Sequence, residues 1–317
     1  MKPVIFIAAA FLVAPIGGQA LAGYTYDTLT DPSGTDGTIA NGINDAAEVV
    51  GTYDDASGSH AFTETGNSFS NFDAPGSTST YGEGINNAGS IIGYYADASG
   101  ADHGFVRIGV AFSAFDAPFA GATGATFGTG INDAGATTGY FYDNGSPVPA
   151  SHVFLNNGGY TQLDAPGAVG TMVTQGVNNA GTTVGYYDDS SGLAHGYTRS
   201  AGGVYTIIND PLGAHGTFAT GINNLGQVTG YYYDASNDVH GFVLTGTTYT
   251  TIDAPGALDF TQVNGINDSG EIVGDYFSAA TGALVGFTAT TVPEPASLAI
   301  LGFGMTALLR ARRRRVN

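Results

Sequence analysis

The sequence predicts an all-β fold, a six-bladed β-propeller of four-stranded blades, and three observations carry that prediction. A motif returns six times: GINDAAEVVGTY (42–53), GINNAGSIIGYY (84–95), GINDAGATTGYF (130–141), GVNNAGTTVGYY (176–187), GINNLGQVTGYY (221–232) and GINDSGEIVGDY (265–276). Its starts are 42, 46, 46, 45 and 44 residues apart, the period of a propeller blade. Each period divides into short runs bounded by Gly, Asn and Asp, and outside the two ends none keeps helical periodicity for three turns. The sixth copy stops at LVGFTAT (284–290) without a fourth strand, while YTYDTLTDPSG (24–34) stands at the front and resembles TYTTIDAPGA (248–257). An N-terminal strand that completes the last blade closes the ring and leaves no open edge.

The fifth copy shows the expected elements: strands over 217–223, 227–234, 240–244 and 248–253. If strands three and four form a hairpin, His240 and Asp253 face each other about a Gly246-Thr247 loop, glycine first, which favours a type II′ turn. His60 and Asp73 centre on Gly66-Asn67, and His103 and Asp116 on Gly109-Val110. His152 and Asp164 centre on Gly158, and His195 and Asn209 on Gly202, each implying a three-residue loop. The turn falls on glycine every time, so His and Asp (or Asn209) are expected as cross-strand neighbours. The sixth copy has Val285 in place of His and the N-terminal strand has Thr30 in place of Asp, as one shared blade requires.

Composition narrows the function classes. The chain carries Lys+Arg 8 against Asp+Glu 27, with a formal net charge of −19. Between the two ends the only basic residues are Arg107 and Arg199, so this surface repels nucleic acid and anionic lipid. No Cys occurs, which excludes disulfide staples and thiolate chemistry.

The two ends read as addresses. Residues 1–22 have one Lys, an apolar run and Ala20-Leu21-Ala22, the pattern of a signal peptide cut after Ala22. Residues 23–291 are the repeat domain. In residues 292–317, Pro293-Glu294-Pro295 forbids helix, then Ala296 to Leu309 offers a short apolar helix. At ~1.5 Å per residue it spans about 21 Å, short of a bilayer core of roughly 30 Å, although snorkelling and thinning permit a transient span. Arg310, Arg312, Arg313, Arg314 and Arg315 follow and hold the tail on the cytoplasmic side.

This three-part order resembles the PEP-CTERM sorting signal of Gram-negative, exopolysaccharide-producing bacteria. The resemblance implies a membrane-embedded, exosortase-type processing partner that cuts near Pro293-Glu294-Pro295 and releases or re-anchors the protein at the outer membrane, cell surface or extracellular matrix. Residues 38–290 resemble the bacterial extracellular HAF repeats. The motif stands as His60-Ala61-Phe62, with variants His103-Gly104-Phe105, His152-Val153-Phe154, His195-Gly196-Tyr197 and His240-Gly241-Phe242. That likeness implies export and no particular activity.

Chemistry is sparse. Five His–Asp or His–Asn pairs read as architecture, a His buried at each blade top that orients a loop, rather than as acid–base catalysts. The Asn of each motif (Asn44, Asn86, Asn132, Asn178, Asn223, Asn267) precedes a turn and is expected to bond its own backbone. His215 lies in a loop between blades. Tyr94, Tyr95, Tyr186, Tyr187, Tyr231 and Tyr232 are expected to alternate between core and surface of strand two, although Tyr-rich turns also suit sugar rings. No cofactor is implied. Acidic turns at Asp54-Asp55, Asp97, Asp143, Asp188-Asp189 and Asp234 are the one place where Ca²⁺ is expected if any metal binds. The resulting expectation is an exported, non-catalytic binding or scaffold protein of the surface polysaccharide or biofilm. The alternative is a polysaccharide lyase or glycoside hydrolase at the propeller axis, which needs carboxylates unique to one or two blades.

Overall fold

The computed structural model describes residues 23–121, 124–143 and 151–292. Signal peptide, sorting motif and the expected C-terminal helix all fall outside these residues, apart from Gly23 and Val292 at their margins. Twenty-four strands and no helix are described. β1 (Tyr24–Leu29) comes first. Blade one is β2 (Gly37–Ile43), β3 (Val49–Asp55), β4 (Gly58–Thr65) and β5 (Ser68–Phe72). Blade two is β6 (Ser77–Ile85), β7 (Ile91–Asp97), β8 (Asp102–Ile108) and β9 (Ala111–Phe115). Blade three is β10 (Thr126–Ile131), β11 (Thr137–Tyr142), β12 (Ser151–Asn156) and β13 (Tyr160–Gln162). Blade four is β14 (Met172–Val177), β15 (Thr183–Asp188), β16 (Ala194–Arg199) and β17 (Tyr205–Ile208). Blade five is β18 (Thr217–Ile222), β19 (Val228–Tyr233), β20 (Val239–Thr245) and β21 (Thr248–Ile252). Blade six has β22 (Ala257–Ile266), β23 (Ile272–Ser278) and β24 (Leu284–Thr291).

β1 supplies the fourth strand of blade six. It pairs antiparallel with β24 from Tyr24↔Thr291 to Leu29↔Gly286, which sets Thr30 opposite Val285. A single parallel bridge, Gly37↔Leu284, ties this blade to blade one. The ring is closed by main-chain hydrogen bonds that cover the edge of β24, and the short outer strands β5, β9, β13, β17, β21 and β1 are the blade edges.

The core lies between blades. Six clusters of buried side chains each join neighbours, such as Leu29, Ala40, Ile43, Val49, Tyr53, Phe62 and Val273 at the closure. The aromatic residue two positions after the His (after Val285 in blade six) anchors every blade: Phe62, Phe105, Phe154, Phe242 and Phe287 are fully buried and Tyr197 nearly so. Each ring covers a strand-two glycine. A Cβ on Gly139 would stand 1.9 Å from Phe127 O and 2.9 Å from Phe154 Cζ, so glycine is required there by close approach.

The hairpin loops vary around the expected geometry. Gly246 and Gly109 have φ of 63° and 59°, and their partners Thr247 and Val110 do not have positive φ, the II′ pattern. The Gly66-Asn67 loop departs from it: φ is positive at both residues, 56° and 67°, as in type I′. Asparagine tolerates the left-handed region and threonine or valine does not, so residue type selects the turn. Between blades, a first-strand Thr fixes the incoming loop by accepting a main-chain hydrogen bond, as Thr80 Oγ1 does from Ala74 N at 3.0 Å.

Candidate functional site

Three side-chain systems repeat around the ring, and each is set by strand periodicity. The outermost contains the histidines. His60 Nδ1 lies 3.0 Å from Asp73 Oδ1, and the equivalents are His103–Asp116 at 2.8 Å, His152–Asp164 at 2.9 Å, His195–Asn209 at 2.8 Å and His240–Asp253 at 2.7 Å. The turn acids join the same clusters. Nε2 lies 3.4 Å from Asp55, 3.6 Å from Asp97, 3.5 Å from Asp143, 3.2 Å from Asp189 and 3.8 Å from Asp234 in blades one to five. Strand register explains this: Tyr53 pairs with His60, and Asp55, two residues on, shares its face.

The histidines are not buried as expected. Their side chains keep 17–27% of their surface exposed, each lying against a strand-two ring such as Tyr53 at 5.2 Å. The turn acids are taken up locally. Asp55 Oδ1 accepts from the Ser57 amide at 2.7 Å and the Ser57 hydroxyl at 2.6 Å, and Asp97, Asp189 and Asp234 accept the matching serine amides. The Ser99 hydroxyl, with the amides of Ala101 and Ser99, holds the Asp97 carboxyl down at about 2. Burial lowers the His103 imidazole, but the Asp116 and Asp97 contacts outweigh it and raise the group overall. With both ring nitrogens facing polar partners in blades one to five, this system is built to fix loops. His215 is exposed, its amide bonded to Tyr233 O at 3.0 Å. Among the described residues no three His, Asp or Glu side chains are grouped to hold a metal ion.

The second system is a pair of closed rings at one end of the axis, one of six asparagines and one of three asparagines and three aspartates. Each motif Asn bonds its own turn, Asn44 Oδ1 accepting from Ala46 and Glu48 amides at 3.0 Å. Its Nδ2 also donates to the next blade's asparagine carbonyl. The chain of bonds runs Asn44→Asn86, Asn86→Asn132, Asn132→Asn178, Asn178→Asn223, Asn223→Asn267 and Asn267→Asn44, at 3.0–3.3 Å. Outside it, a ring from Asp45 through Asn87, Asp133, Asn179 and Asn224 to Asp268 links each amide to the next side-chain oxygen at 2.7–2.9 Å. The inter-blade half of this arrangement was not foreseen from the motif.

The third system lies on the axis itself. Every innermost strand has a β-bulge at the same place: between Ala40 and Gly42, Gly82 and Gly84, Gly128 and Gly130, Thr174 and Gly176, Ala219 and Gly221, and Val263 and Gly265. A bulge re-aims the extra side chain. The six extra residues, Asn41, Glu83, Thr129, Gln175, Thr220 and Asn264, line one axial cavity of about 80 Å³. The glycine after each lets neighbouring strands approach; a Cβ on Gly130 would meet Gly176 Cα at 2.8 Å. Burial raises the Glu83 carboxyl to about 8 and Asp275, bonded by Asn264 Nδ2 at 2.8 Å, to about 7.

Next to this cavity, towards the strand two-to-three turns, runs a belt of half-buried aromatic rings. Tyr81 stacks on Tyr94 at 4.5 Å, Tyr94 meets Phe127 at 4.9 Å, and Phe127 stacks on Tyr140 at 4.5 Å. Tyr186 meets Phe218 at 4.9 Å, which stacks on Tyr231 at 4.7 Å. Burial and then the Glu83 charge raise the Tyr94 and Tyr140 hydroxyls, which places belt and cavity side by side. The belt spans blades two to five and is interrupted where blades one and six carry Thr52 and Asp275. The alternation expected along strand two is present: Tyr94, Tyr186 and Tyr231 enter the belt, while Tyr187 and Tyr232 are buried against His195 and His240.

Comparison with known proteins adds two findings. Residues 291–315 match the family model of the PEP-CTERM protein-sorting motif, and no curated protein matches the chain. Among solved structures, a mutant of the Aleuria aurantia lectin in complex with Fucalpha1-6GlcNAc is 14% identical, with a TM-score of 0.51 over 83% of this chain and 97% of that one. A structure of that lectin described as a six-bladed β-propeller with a novel fucose recognition mode is 11% identical, with a TM-score of 0.51 over the same shares. A putative TolB from Agrobacterium tumefaciens is 13% identical, with a TM-score of 0.51 over 81% of this chain and 91% of that one. The chain is thus similar in fold to six-bladed β-propellers and carries at its C-terminal end the sorting motif of an exported protein.

Proposed function

We propose that the protein is an exported propeller that binds extracellular polysaccharide without cleaving it and serves as a surface or matrix scaffold. In this reading residues 1–22 are removed after Ala22, and an exosortase-type enzyme processes the tail near Pro293-Glu294-Pro295. Residues 23–291 then act at the cell surface or in the biofilm matrix. The observation that carries the reading is the aromatic belt. Half-buried tyrosine and phenylalanine rings with neighbouring hydroxyls offer what a sugar needs, an apolar face to stack on and polar atoms to bond. The lectin neighbours support a binding role for this architecture, and the HAF-like repeats support the location.

Glu83 and Asp275 favour a second reading, an axial glycoside hydrolase or lyase, since each is carried by one blade and a carboxyl raised by burial suits a general acid. Burial weighs against it. Asp275 is 3% exposed and held by Asn264, out of reach of a substrate, and glycoside hydrolysis ordinarily needs two accessible carboxyl groups. A glycan array run beside a polysaccharide-degradation assay tests both: binding without product is expected, and released oligosaccharide overturns the scaffold reading.

A further inference from the structure

Four of the six axial side chains turn a hydrogen outward. Asn41 Nδ2 donates to Gly82 O at 2.9 Å, Thr129 Oγ1 to Thr174 O at 2.6 Å, Thr220 Oγ1 to Val263 O at 2.6 Å and Asn264 Nδ2 to Ala40 O at 3.1 Å. In each case the acceptor is the main chain of the next blade. What these side chains leave for the cavity they line is oxygen lone pairs: two hydroxyl oxygens and two amide oxygens. Glu83 occupies the same position in blade two, and its carboxyl makes no hydrogen bond among the described residues. Blade two therefore lacks the inter-blade bond that four other blades make from this position. The cavity is thus rich in oxygen, with one unpartnered carboxyl and no basic side chain in its lining.

We propose that this cavity binds a single calcium ion on the propeller axis, held by Glu83 and by the neutral oxygens of Asn41, Thr129, Thr220 and Asn264, with water completing the shell. The chemistry is that of hard oxygen ligands. The size agrees: a water needs roughly 10–15 Å³ of such volume, so the cavity takes one ion with several waters. The charge count sets the strength. One carboxylate puts the affinity among weak extracellular calcium modules, with a dissociation constant on the order of 10⁻⁴–10⁻³ M. This site is distinct from the acidic strand two-to-three turns, whose serine and histidine partners already engage the carboxylates, and it does not depend on the glycan reading.

The test is calorimetric titration of calcium into the chelator-treated full chain, beside thermal unfolding with and without calcium. We expect one site, and a Tm rise of about 3 °C at ten times the dissociation constant. Glu83→Gln supplies the missing donor and should abolish the calcium site while unfolding no lower than the calcium-free wild type. Glu83→Thr, the residue of blades three and five, should do the same and guards against an idiosyncrasy of the amide. No one-site binding, retention of binding in both variants, or an equal Tm rise from NaCl at matched ionic strength overturns the proposal.

Discussion

Asn267 donates from Nδ2 to the main-chain oxygen of Asn44 at 3.1 Å, bonding the last repeat to the first across 223 positions of sequence. It is the closing member of a six-bond ring, and both groups are buried. Replacing Asn267 by Ala leaves that carbonyl with the Ala47 amide as its remaining donor and removes the acceptor for the Ser269 and Glu271 amides. The expected cost is about 1–3 kcal/mol in urea unfolding. Asn132→Ala, at an interface between sequence neighbours, should cost a similar amount, because the ring treats all its blades alike.

The β1–β24 pairing is the other closure, and it is made by main chain. Deleting Tyr24–Leu29 uncovers the edge of β24 and removes Leu29, which is 3% exposed, from the blade one interface. The shortened chain should lose its single cooperative unfolding transition and self-associate through the uncovered edge. Light scattering coupled to gel filtration, read beside urea unfolding, checks both.

Close approach makes a sharp prediction at Gly139. A methyl group there collides with Phe127 O and with the buried Phe154 ring, and backbone has nowhere to move inside a paired strand. Gly139→Ala should cost about 3 kcal/mol or more. Gly159→Ala, with nothing within 4 Å of the added Cβ, should be near neutral in the same assay.

His103 gives a pH dependence of known sign. Its folded-state pKa lies above the ordinary value, burial being outweighed by its bonds to Asp116 and Asp97. The protonated form is therefore favoured by folding. Its contribution is full below about pH 6.5 and is lost as pH rises through the folded pKa. His103→Gln should destabilise most at pH 5–6 and little at pH 8. Thermal unfolding of wild type and variant across that range measures it, and an NMR titration of the imidazole gives the pKa directly.

Much of the fold was legible in the sequence because repetition exposes geometry. Val285 and Thr30, where the His and its carboxylate or amide partner are both replaced, belong to one blade, and that locates the seam. The axial site was hidden for the opposite reason. Asn41, Glu83, Thr129, Gln175, Thr220 and Asn264 differ from copy to copy, and a reading built on recurrence passes over them. Aligning the six motifs and asking what stands three residues before each Asn singles out Glu83 as the one charged member. Even so, the bulge that turns it to the axis is a property of strand pairing. The link between Asp55 and His60 was likewise missed, since it needs strand two and strand three registered together rather than each hairpin alone.

The aromatic belt carries the last prediction. Tyr140 and Tyr231 stack on Phe127 and Phe218 at 4.5 and 4.7 Å, so truncating either removes a stacking face without emptying a sealed core. Loss of one such contact is worth roughly 1 kcal/mol, and Tyr140→Ala and Tyr231→Ala should each weaken glycan binding about five- to tenfold. Tyr249→Phe, on the fourth strand of blade five and outside the belt, should bind as wild type. The chain has no tryptophan, so ultraviolet emission comes from tyrosine, and sugar stacked on the belt should change it. If both alanine variants keep wild-type affinity while remaining folded, the belt is not the binding surface and the glycan site has to be sought in the loops between blades.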